Sequence, residues 1–194
     1  MTRLSYLVLL SGLLNLSACA TFTTYPNCDV PVDTGIPILH PSALSAKLIA
    51  NQQVKITTAD NQFEFLSQIE INQDKLILVA LTPIGQKLFQ IQYSKGSIQF
   101  ERFGIPDSFN PAYLLADISL IYGDERGLNS CYLRSGIAAK AINKSSLERI
   151  IHYPDQEEIS ISYSTKSKWQ SDILFTNPFR HYTISIKSLG VEHL

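Results

Sequence analysis

A chain of 194 residues, 45% hydrophobic and 10% aromatic, has the composition of one folded domain able to bury a core, which excludes general disorder. Its net charge of −1 argues against nucleic acid as a partner, and against binding acidic lipids by charge alone. At the N-terminus, Arg3 precedes an apolar stretch from Leu4 to Leu14. The stretch is shorter than the about 20 residues a membrane-crossing helix needs, and fits the apolar core of a secretory signal. Leu16-Ser17-Ala18-Cys19 then reads as a bacterial lipobox. Residues 1–18 are therefore expected to be a signal peptide and Cys19 the lipidated residue, anchored by several acyl chains. Ala20 stands where Asp would signal retention in the inner membrane, so the expected location is the periplasmic face of the outer membrane.

Residues 19–41 read as the lipidated Cys and a Pro-rich linker, with Pro26, Pro31, Pro37 and Pro41 and no apolar periodicity. The folded domain is expected over 42–194. Ser42 to Ala50 is read as a short helix capped by Ser42. Phe63, Phe65, Ile69 and Ile71 alternate with mostly polar residues, and Leu76 to Leu81 is an apolar run of the kind buried on both faces. Phe89, Ile91 and Tyr93 alternate again, Lys95-Gly96 marks a turn, and Ile98 and Phe100 follow. Asn110 and Pro111 open a helix whose face carries Leu114, Leu115, Ile118, Ile121 and Tyr122, and Gly123 ends it. Residues 124–144 are less regular, a loop or short helix before a strand. Alternation then returns at Leu147–Tyr153, Ile159–Tyr163, Ile173–Phe175 and Tyr182–Ile186. The order strands, helix, strands predicts an α+β, mainly β domain: an antiparallel sheet curled into an unclosed barrel, with the helix covering the mouth.

Three segments carry a resemblance: Leu81-Thr82-Pro83-Ile84-Gly85-Gln86-Lys87-Leu88-Phe89, Pro111-Ala112-Tyr113-Leu114-Leu115-Ala116-Asp117, and Asn177-Pro178-Phe179-Arg180-His181-Tyr182-Thr183-Ile184-Ser185-Ile186. Through them the chain, over roughly 45–190, resembles an uncharacterised family of bacterial outer-membrane lipoproteins related to the LolA/LolB-like lipoprotein carriers. The resemblance implies an unclosed barrel whose apolar cavity holds acyl chains. It also implies an apolar residue projecting from the turn at Pro83, Ile84 and Gly85 into the membrane, here Ile84. The alternative is that Ile84 folds back as core. Members of the closer family often accompany genes for lipid-like or polyene products, so the cargo need not be a lipoprotein.

The remaining cysteines, Cys28 and Cys131, form either a disulfide, which an oxidising periplasm favours, or two free thiols. His40, His152, His181 and His193 are scattered, and no His-x-x-x-His, Cys-x-x-Cys, Gly-x-Ser-x-Gly or phosphate-loop pattern occurs. The expectation is a protein that is not an enzyme and carries no cofactor or metal. Phe63, Phe65, Phe89, Ile91, Leu114 and Ile118 are the candidate cavity lining, or else plain core. The expected partners are an apolar, lipid-like cargo, the inner leaflet of the outer membrane and a periplasmic carrier protein. The competing expectation is an assembly or interaction lipoprotein with no ligand cavity.

Overall fold

A computed structural model describes residues 28–29, 37–44, 47–107, 109–154 and 156–194. The signal segment and Cys19 lie outside them. Two short strands, β1 (Cys28–Asp29) and β2 (Ile38–Leu39), pair with each other, and a 3-10 turn follows at Pro41–Leu44. The other strands are β3 (Leu48–Thr58), β4 (Gln62–Ile71), β5 (Lys75–Leu81), β6 (Lys87–Ser94), β7 (Ser97–Arg102), β8 (Lys140–Ser145), β9 (Glu148–His152), β10 (Ile159–Tyr163), β11 (Ile173–Asn177) and β12 (Tyr182–His193). They make one antiparallel sheet in the order β7-β6-β5-β4-β3-β12-β11-β10-β9-β8. β7 and β8 are its edges and do not pair, so the sheet is unclosed. The chain crosses between these edges through α1 (Pro111–Tyr122) and α2 (Glu125–Arg134).

The registers fix two ends. Leu66↔Leu81, Phe89↔Arg102, Thr58↔Tyr182 and Ile151↔Ile159 bring the β3–β4, β5–β6, β9–β10 and β11–β12 connections to one end, here the upper. The exit from β7 and the entry to β8 lie there too. The β4–β5, β6–β7, β8–β9 and β10–β11 connections lie at the lower end.

α1 is buried on almost every side, among Leu115, Ala116, Ile118, Leu120 and Ile121. A helix apolar all round belongs inside. It therefore fills the concave face of the sheet rather than covering the mouth with one apolar stripe. Its start packs at the upper end, with Phe109 4.9 Å from the Phe89 ring centroid, and its end reaches the lower β10–β11 connection. α2 runs back along the β8 edge. There Asn129 accepts from the Ala141 N–H and donates to its carbonyl, and Glu125 accepts from the Asn143 N–H. These side chains satisfy edge groups that would otherwise be open to pairing.

Three local expectations change. The described residues of Ser42–Ala50 form the end of a 3-10 turn, to Leu44, and the first residues of β3, not a helix. β3 hides its alternation because Gln52 occupies an inward position between Ala50 and Val54, its amide donating to the Tyr122 hydroxyl at 2.7 Å. Pro37, Ile38 and Leu39, which the proline pattern places in the linker, are packed in the core, and the Leu39 N–H donates to Ser119 Oγ. β5 buries only Leu76, Leu78 and Ala80; its other face is half-buried.

Candidate functional site

The interface between α1 and the sheet is apolar but incompletely packed. A void of about 20 Å³ lies there, lined by Val54, Phe65 and Ile184 of the sheet and by Leu114, Ile118 and Asp117 of the helix, among others. That is space for about one water molecule. Two of its lining residues carry buried oxygens without a hydrogen bond, Ser67 Oγ and Asp117 Oδ1. Left dry, such a group costs about 1–3 kcal/mol, and a water of the size this void admits would give it a partner. Asp117 Oδ2 accepts from the Tyr182 hydroxyl at 2.5 Å. Burial pushes the Asp117 carboxyl up to about 7, against the lowering effects of that hydrogen bond and of the Arg180 charge. The Arg180 guanidinium itself lies over the Tyr113 ring, 3.8 Å from its centroid.

The two ends of α1 are held differently. At the lower end, fully buried Arg149 donates to the Leu120 and Gly123 carbonyls, both at 2.7 Å, and to Asn143 Oδ1. Lys168 donates to the same Gly123 carbonyl, and the Tyr163 hydroxyl to Ile121 O. These cations complement the negative end of the helix dipole. Burial, then the neighbouring Arg149 charge, lowers the Lys168 ammonium to about 8. Gly123 is required by close approach: a Cβ there would meet Leu39 Cδ1 and the Ser119 carbonyl. The upper end begins with Asn110 Oδ1 accepting from the Ala112 N–H and with aromatic packing, Phe109 on Phe89 and Phe100. The helix is thus clamped by charge-assisted bonds below and seated on rings above.

Of the candidate cavity residues, Phe65, Leu114 and Ile118 line the void. Phe89 and Ile91 are fully buried, Phe89 within a ring cluster that includes Phe65 at 5.7 Å. They do not line the void. Phe63 is 37% exposed at the upper end of β4, its ring 5.5 Å from that of Phe65. Strand alternation points Phe63 and Phe65 the same way, but Phe63 is partly exposed and does not line the void. The sequence reading missed Gln52, Ser67, Asp117, Arg149 and Tyr182. Asp117 carried a usable signal, being the charged residue within an apolar helical run.

The β5–β6 turn is closed by Thr82, whose N–H donates to Gln86 O and whose carbonyl accepts from the Gly85 N–H. Pro83 and Ile84 form the tip, and Gly85 takes the left-handed φ of +83° that the turn needs. Ile84 is 81% exposed. Cys28 and Cys131 are disulfide-bonded, with Cα atoms 6.0 Å apart, which fastens β1 to α2. Among the described residues there is no cluster of His, Cys, Asp and Glu able to hold a metal ion, and no helix long and apolar enough to cross a membrane.

No curated protein matches this chain. The model of one family, described as "Protein of unknown function (DUF3261)", matches residues 49–190, from the second residue of β3 into β12. The matched span holds both helices, the void and the Ile84 turn, and the chain belongs to the DUF3261 family.

Proposed function

We propose that this chain is a LolB-like outer-membrane lipoprotein, anchored through Cys19, that takes up an apolar ligand between α1 and the sheet and passes it to the inner leaflet without covalent chemistry. The ligand is an acyl chain, a lipidated protein or a lipid-like product, delivered by a periplasmic carrier. The observation that carries this reading is the imperfect seat of α1: an apolar interface with a void and two unpartnered oxygens. The clamp at the lower end gives the helix a pivot, so its upper half lifts and opens the concave face beside the Ile84 turn. Each methylene then buried gains about 0.8 kcal/mol, so a chain of a dozen carbons offsets the contacts that α1 gives up. Ile84 is the residue that enters the bilayer.

The test is uptake of a fluorescent fatty acid by the Cys19→Ala protein, with mass spectrometry of co-purified lipids. Saturable binding at one site is expected. The small volume of the void supports a second reading, an assembly or interaction lipoprotein whose interior stays packed. Absence of both saturable uptake and co-purified lipid would establish that reading over the first.

A further inference from the structure

The two ends of the sheet differ in what their connections expose. At the upper end, Ile84 is 81% exposed at its turn tip, Phe103 is 57% exposed just beyond β7, and Phe179 is 38% exposed between β11 and β12. Leu133, at the upper end of α2, is 83% exposed beside Ile137, His152 and Pro154. Tyr132, the neighbour of Leu133 in α2, has its ring 6.3 Å from that of Tyr153, which lies 5.3 Å from the Phe179 ring. At the lower end the turns are Asn72-Gln73-Asp74, Lys95-Gly96 and Lys166-Ser167-Lys168; the connections there expose Leu147, and the strands beside them expose Leu174, Leu189 and the terminal Leu194.

We infer that the upper rim as a whole, Ile84 together with Phe103, Leu133 and Phe179, docks on the surface of a lipid bilayer, and that the Cys28–Cys131 disulfide turns it that way. This rests on the anchoring at Cys19 proposed above. From Cys19 to Cys28 there are only nine residue steps, about 30 Å at full extension. The disulfide ends that tether on α2, two residues from Leu133. The bilayer therefore lies within reach of the rim. Contact is by apolar insertion, because the exposed rim residues are apolar and the Arg102 cation beside them pairs with Asp107. Lys87 lies over the Phe103 ring, 5.0 Å from its centroid, and can extend to the headgroup level while the ring enters. Exposed apolar side chains of this size on several neighbouring connections are the mark of an interaction face.

The experiment uses the full lipidated chain in phosphatidylcholine vesicles carrying nitroxide-labelled lipid. A fluorophore is placed on Ile84→Cys, Leu133→Cys or, at the opposite end, Gln73→Cys. Strong quenching at 84 and 133 and little at 73, unchanged in high salt, is the expected result. Adding Phe103→Glu and Phe179→Glu should reduce the quenching at 133 several-fold. Equal quenching at all three positions, or none at 84 and 133, overturns the docked rim while leaving ligand uptake to its own assay. A purified chain without lipid on Cys19 by mass spectrometry overturns the anchor and this proposal with it.

Discussion

Asp117 is the residue whose surroundings make the sharpest demand. Its carboxyl, raised by burial to about 7, stays protonated in the folded protein at pH values where an unfolded Asp, near 3.8, has lost its proton. Unfolding between these values releases a proton, so a rise in pH favours the unfolded chain. Stability should fall by roughly 1.4 kcal/mol per pH unit across this window and level off above about 7. Asp117→Asn should flatten the profile, as denaturant titrations at pH 4, 5.5 and 7 would reveal. A slope shared by both proteins would assign the effect elsewhere. Ile84 is the opposite case, a large apolar side chain in water. Ile84→Glu should shift stability by no more than about 0.5 kcal/mol, yet weaken association with vesicles. Thermal melting and vesicle co-sedimentation read the two effects separately. Position 84 was legible as a turn tip from Pro83 and Gly85, but its exposure was not, since a turn can fold either way onto a sheet. Gln52 and Ser67 were invisible as site residues because polar side chains in strands ordinarily face water.

Among the elements, α1 was legible at both ends, from Asn110-Pro111 and Gly123. Its depth was not. The expected apolar stripe left Ala112, Ala116 and Ser119 on a polar side, whereas these small residues are what let the sheet close around the helix. Arg149 was equally misleading, since alternation put it on an inward position that a cation rarely takes. Its reason is the lower end of α1, whose carbonyls lack partners within the helix. Arg149→Met should cost about 3 kcal/mol or more, because charge-assisted bonds to two main-chain carbonyls and Asn143 disappear together. The expected loss is readable as a lower denaturation midpoint with an unchanged slope. A substitution near neutral would mean that Lys168 and Tyr163 hold the helix end alone.

For the whole molecule, the hairpin periodicity gave the mainly antiparallel sheet and its helical interruption, but not which strands meet across that interruption. The long-range disulfide is also a property of this scale, with its cysteines 103 residues apart. Replacing both with Ser should lower stability by up to about 4–5 kcal/mol in the chain-entropy account, measured by urea denaturation. It should also free β1 from α2. β3 and β12 lie side by side from Leu48↔His193 to Thr58↔Tyr182, although every other strand of the large sheet falls between them in the chain. A polypeptide made from its N-terminus therefore has β12 still to come when every other strand of the large sheet has been synthesised. Until β12 arrives, β3 and β11 each present an open hydrogen-bonding edge, and no strand joins the two halves of the sheet. Closure over such a separation is intrinsically slow. Under the export proposed above, the topology holds the newborn chain in a threadable form, so that passage through a translocation pore and folding become successive events instead of competing ones.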